Sequence, residues 1–189
     1  MSKQENPTSD LRKSRFEKIT FFFRYWREAF LVISICSSFL FLLNNLIASF
    51  FYQGGSHVDV NNPGYSFLWN YISDLGMTFS ISGELNLVSR IIFTTTLVIV
   101  GFAALAFGIV FSDFYKKTNL SKFGTTILVF GVLNGITYMI IGFLPMDIYL
   151  LPHNVFVVFA FFFKLVLLIL FILTILKDET IQMCMPIFI

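Results

Sequence analysis

The sequence predicts an all-α, polytopic transmembrane helix bundle with four full spans, and three observations predict it. Hydrophobic residues make up 57% of 189 residues and charged residues only 13%. A soluble domain of this length cannot hide so much apolar surface, so lipid must cover part of it. Four apolar runs are each long enough to cross a hydrocarbon core of ~30 Å. Apart from Arg90 and Lys164 within spans, Lys and Arg fall in alternate connecting segments, as the positive-inside rule requires.

The elements follow in order. Residues 1–28 form a polar, then basic and aromatic, cytoplasmic segment. Met1–Asp10 carries no apolar pattern. Between Leu11 and Glu28, Arg12, Lys13, Arg15, Lys18, Arg24 and Arg27 alternate with Phe16, Phe21, Phe22, Phe23, Tyr25 and Trp26. That mixture suits an interfacial helix, with cations at anionic headgroups and rings in the belt. No small-residue cleavage site follows the first apolar run, so it reads as a retained span. This span covers residues 29–52, with Asn44 and Asn45 placed to bond a neighbouring helix.

The loop from Gln53 to Gly83 is too long for a plain connector. Within Asn62–Gly76 the pattern becomes helical, and an amphipathic interfacial helix is expected over 63–75. Asn62 suits its N-cap, Pro63 its first residue and Gly76 a left-handed stop. Tyr65, Leu68, Trp69, Ile72 and Leu75 fall on one face, and Ser66, Asn70, Ser73 and Asp74 on the other. Such a helix is under ~20 Å long and cannot cross a bilayer.

The second span is expected over 83–111, with Ser82 as N-cap and Glu84 in the first turn. Asn86, Arg90 and Thr94 make a polar stripe that continues as Gly101, Ala104 and Gly108. A short basic loop, Ser112–Lys122, precedes the third span at 123–143. There Gly124, Gly131, Gly135 and Gly142 share one face, the signature of close helix approach. Asn134 lies near mid-depth. The polar loop Leu144–His153 leads to the fourth span at 154–176, with Lys164 near its middle. Residues 177–189 are a C-terminal stub whose apolar part is too short to span. Either the chain stops there or a further span has been cut away.

Seven Lys/Arg precede the first span and three lie in the loop after the second, while Gln53–Gly83 and Leu144–His153 carry none. The sequence therefore predicts a multi-pass protein of the cell membrane with a cytoplasmic N-terminus. Asp74, Glu84, Asp147 and His153, with Arg90 just below, then collect at the extracytoplasmic face. The net charge of +2 gives no reason to expect nucleic acid. Cys36 and Cys184 are too far apart in sequence to suggest a pair and lack metal-type spacing.

The order Gly64–Ser66, Ile72–Gly76 (Ile-Ser-Asp-Leu-Gly), Gly142–Asp147 (Gly-Phe-Leu-Pro-Met-Asp) and His153 resembles a family of bacterial and archaeal membrane proteins of unknown function, numbered 998, over roughly residues 30–176. The Tyr-Ile-Ser-Asp stretch is more weakly similar to the DRAM/Sfk membrane group, some of which are linked to lipid handling. The first resemblance implies a helical bundle with usually six spans, against four and a stub in this chain. It implies no settled activity.

Three functional readings follow. The leading one is a binding or scaffold role: a polar pocket of Asp74, Arg90, Asp147, His153 and Asn70, holding a lipid headgroup or small polar solute. Asp74 clamped to Arg90 is its most economical frame, because an Arg inside a span needs a partner. The rival is a membrane-embedded lipid hydrolase or acyl-transfer enzyme. It would use His153 oriented by Asp147, with Asp74 and a serine such as Ser73 as further candidates, though no nucleophile elbow is present. The third is transport past Asn134 and Lys164. Placing a lysine at the centre of a span costs ~2.5–3.5 kcal/mol, which makes Lys164 a functional hypothesis on its own. With two histidines in the chain, His57 and His153, no metal or cofactor is expected. The expected partners are membrane lipids, with a helix-mediated oligomer as an option.

Overall fold

The computed structural model describes residues 7–178, with side chains from Tyr25 to Asp178. Expectations for residues 1–6 and 179–189 lie outside the described residues. Four α-helices make the bundle: α1 (Pro7–Phe50), α2 (Leu87–Tyr115), α3 (Ser121–Phe143) and α4 (Leu150–Lys177). All four contain segments long and apolar enough to cross a membrane, the one in α1 being Tyr25–Phe50. The basic segment and the first span are thus one continuous helix. At ~1.5 Å per residue α1 reaches about 66 Å, well beyond a bilayer.

α2 is the central helix. It packs against α1 on one side and α3 on the other, and α4 packs on α3. The two small-residue faces meet each other. A Cβ on Gly101 would come 2.7 Å from the Gly135 carbonyl oxygen, and one on Gly135 would come 2.6 Å from that of Gly101. The backbones therefore touch where no side chain intervenes, which is how helices gain contact in lipid. Thr94 Oγ1 donates to Gly142 O (2.8 Å) along the same seam, and Asn134 Nδ2 ties α3 to α4 through Ala160 O (2.8 Å). Ser34 Oγ reaches Ala103 O (3.1 Å) from α1 to α2. The expected interhelical bond from Asn45 is not made, since its Nδ2 donates to Phe41 O within α1.

Three differences from expectation bear on the cap. α2 begins at Leu87, not at Gly83. Gly83 has φ +87° in the preceding turn, and Ser80–Asn86 folds into a small hairpin closed by a Phe79–Leu85 bridge. α4 begins at Leu150, so His153 sits in its first turn. The third concerns the segment 63–75. It is a series of turns, and only Ile72–Gly76 is helical, as a 3-10 helix. Its polar side chains compete for the backbone: Asn70 Oδ1 accepts from Ser66 N (2.9 Å) and Asp74 Oδ2 from Tyr71 N (2.8 Å). Tyr71 is extended (ψ 151°), which ends any helical run before it. Gly76 is not left-handed, because the positive-φ glycines are Gly54, Gly55 and Gly83.

The α2–α3 seam makes a direct prediction. Gly135→Val should drive the Gly101 carbonyl away and cost about 1–3 kcal/mol, read as a lower melting temperature in detergent. Gly64→Ala, with open space at that Cβ, should leave it unchanged.

Candidate functional site

Residues 51–86 and 144–149 form a cap over one end of the bundle. The chain leaves α1 and reverses at Gly54 and Gly55, both at positive φ (106° and 82°). Gly55 lies so close to Ser82 that a Cβ would come 2.3 Å from its amide nitrogen. This reversal carries His57 back over the 3-10 helix.

The centre of the cap is Asp74, whose side chain is fully buried. Its Oδ2 accepts from His57 Nε2 (3.0 Å), Asn70 Nδ2 (3.1 Å) and Tyr71 N (2.8 Å). Its Oδ1 is buried without a partner. With Nε2 engaged by Asp74, Nδ1 has no bonding partner among the described residues and is left for another group. The His57 side chain is 43% exposed and lies 4.8 Å, centroid to centroid, from the Tyr71 ring. A buried carboxylate thus holds an exposed imidazole in one orientation.

The other polar residues brace the cap. Asp147 accepts from Thr78 N (3.0 Å) and Phe79 N (3.1 Å), anchoring the α3–α4 loop to the 77–86 hairpin. Asn86 Nδ2 donates to Leu75 O and Met77 O (3.2 Å each), and Ser89 Oγ to Leu75 O (3.0 Å). Tyr52 OH accepts from Ile81 N (3.0 Å). These contacts satisfy backbone groups between Leu75 and Ile81.

Two expected pairs are therefore not formed. Asp74 does not clamp Arg90: Arg90 Nη1 donates to Thr78 Oγ1 (3.0 Å), and Asp74 turns to His57. The 3-10 helix points its carboxylate back at the 55–57 reversal, whereas Arg90 rises beside Thr78. Asp147 does not orient His153 either. Buried at 1% exposure, His153 donates from Nδ1 to Leu144 O (2.6 Å), and its Nε2 has no partner. Ser73 Oγ is engaged by Met146 Sδ (3.5 Å). Asp74 and Asn70 share a site, but Arg90, Asp147 and His153 each hold a separate backbone or hydroxyl group. Lys164 and Asn134 lie far below, deeper in the bundle. The sequence pattern assigns His57 no role in the polar site and does not mark Asn86 and Ser89 as cap braces. The Gly54-Gly55 pair ahead of His57 was the available signal. Among the described residues, no group of three His, Cys, Asp or Glu is placed to hold a metal.

At the opposite end of the bundle, Arg27 Nε donates to Asp113 Oδ2 (2.8 Å), pairing α1 with α2.

Asp74→Ala strands the Tyr71 N–H and one of the two Asn70 amide hydrogens, so it should destabilise the cap by about 1–3 kcal/mol. Proteolysis between residues 53 and 86 should accelerate, whereas His57→Ala should leave it near the parent rate. A second outcome concerns Tyr65. Burial, with the nearby Asp74 charge second, pushes its hydroxyl from 10.0 up to about 12. Between those values the folded state holds a proton that the unfolded state has lost, so stability falls as pH rises through that window. Trp69 emission in a Trp26→Phe background should report cap loosening there, and Tyr65→Phe should blunt it.

No curated protein and no solved structure matches the chain, so the weaker likeness to the DRAM/Sfk group gains no support. The family model described as "Protein of unknown function (DUF998)" matches residues 35–180, which takes in all of α2, α3, α4 and the cap. With that match covering most of its length, this four-helix, capped membrane protein belongs to the DUF998 family.

Proposed function

We propose that this integral membrane protein binds an anionic lipid headgroup or small polar solute at its cap, with His57 as the contacting group. The carrying observation is the exposed His57 imidazole held by the fully buried Asp74. In its protonated form the outward Nδ1–H donates to a phosphate or carboxylate, while Asp74 offsets the charge from behind. The Tyr71 ring and the Trp69 carbonyl adjoin His57, and Phe67, Leu68, Trp69, Tyr71 and Ile72 are all exposed on this cap segment. Such aromatic and aliphatic groups suit the headgroup level of a bilayer. The distribution of Lys and Arg supports an orientation with the cap outside and the N-terminus in the cytoplasm.

Two rival readings have less support. Among the described residues no hydroxyl or thiol bonds to His57, so a hydrolase or acyl-transfer mechanism lacks an activated nucleophile. A transport path from cap to Lys164 would have to cross the buried apolar cluster of Leu75, Phe93, Leu97, Ile141 and Ala160.

The test is retention of phosphatidylglycerol by protein purified from nanodiscs of phosphatidylglycerol and phosphatidylcholine. His57→Ala should lower retention about tenfold, equivalent to ~1.4 kcal/mol, with the melting temperature unchanged. Ser73→Ala should retain the lipid like the parent. Equal retention by His57→Ala and parent protein sinks the proposal.

A further inference from the structure

A cavity of about 630 Å³ lies in the half of the bundle away from the cap. α1 rests on α2 and α4 rests on α3, so a gap remains between α1 and α4 with α2 as its floor. Phe107, Phe111, Leu167 and Phe171 line it, and Asn134 and Lys164 stand among its lining residues. Its margin includes exposed residues from α1, α2 and α4, among them Ile35, Phe114 and Lys164, so it opens sideways to the hydrocarbon.

Two polar groups in this apolar space are unsatisfied. Lys164 has no hydrogen-bond or ion-pair partner among the described residues, although it lies at the middle of α4. Asn134 is fully buried, and its Nδ2 is spent on Ala160 O while its Oδ1 has no donor. Ala160 is one helical turn before Lys164, so both groups belong to one spot on the α3–α4 seam.

We propose that this cavity is a second site, independent of the cap, which takes a long-chain fatty acid with its carboxyl group at Lys164. Charge complementarity selects the class of ligand. One carboxylate neutralises one ammonium, and a carboxyl group that keeps its proton finds its acceptor in Asn134 Oδ1. A phosphomonoester would leave excess charge in hydrocarbon, and a diester headgroup is held at the interface, half a bilayer away. From Lys164 to Ile175 the lining of α4 runs about 17 Å at ~1.5 Å per residue, room for the acyl chain. Tyr115, whose hydroxyl donates to Asp178 Oδ2 (2.8 Å), stands at the far end.

Volume and charge argue against a helix as the occupant. The cavity falls in the range of about 300–1,000 Å³ that holds a small molecule. A transmembrane helix ~10 Å across and ~30 Å long displaces more than ~2,000 Å³. A second copy of this chain supplies no matching carboxylate, because the described spans carry acidic residues only near their ends, at Glu28 and Asp113.

The experiment uses the purified full chain in nanodiscs and a photoreactive diazirine palmitate. Labelled peptides should come from residues 31–38, 100–115 and 164–175. Lys164→Met should lower labelling about tenfold, while Lys164→Arg should restore most of it. Free palmitate should compete and its methyl ester should not, a comparison that stands even if the methionine variant fails to accumulate. His57→Ala should leave labelling intact, which separates this site from the cap. Unchanged labelling in a folded Lys164→Met protein overturns the proposal, as does equal competition by the ester. Labelling confined to other peptides also overturns it, as does a stoichiometric crosslink from Lys164 to an acidic helix of another protein.

Discussion

The contact between Gly101 and Gly135 is the constraint on which the rest of the structure depends. In lipid there is no hydrophobic drive to bring helices together, so association relies on close packing and hydrogen bonds. α2 and α3 meet backbone to backbone because neither has a side chain at the crossing. α1 and α4 are then added to opposite flanks of that pair. This arrangement places the start of α2 under the cap and leaves the α1–α4 side open. Both candidate sites are consequences of it.

The cap answers a different demand. Non-helical backbone beside a bilayer must find hydrogen-bond partners, because hydrocarbon supplies none. Residues 53–86 find them in side chains: Asn70 for the reversal, Asp74, Asn86 and Ser89 for the start and end of the 3-10 helix, Asp147 and Tyr52 for the hairpin. The polar residues gathered here are mostly internal cement. His57 is exposed yet held by a fully buried carboxylate, which is why the binding proposal centres on it and not on Arg90, Asp147 or His153.

Much of this was legible in the residues. The four spans follow from hydropathy and length, and the glycines of the second and third spans announced the face on which they meet. The concentration of polar loops at one end was equally readable. The helix over 63–75 was misread because its apolar spacing fits a 3.6 period. Periodicity carries no record of Asn70 and Asp74 turning back to Ser66 N and Tyr71 N. The Asp147–His153 pair looked natural at six residues apart. Yet His153 starts inside α4, where the Leu144 carbonyl at the end of α3 is nearer than any carboxylate it was expected to meet.

By itself the sequence determined the membrane class, the order of the four spans among the described residues, and the mid-span position of Lys164. These depend on local composition and period, which a linear chain displays directly. Tertiary structure alone decided that Asp74 serves His57 and not Arg90, and that Lys164 borders a cavity beside the α3–α4 seam. Both outcomes turn on where the chain path sets groups distant in sequence: 17 residues apart for His57 and Asp74, and across separate helices for α1 and α4. A reversal at two left-handed glycines and a backbone contact between two others set those paths. Their consequences appear only once the chain is folded.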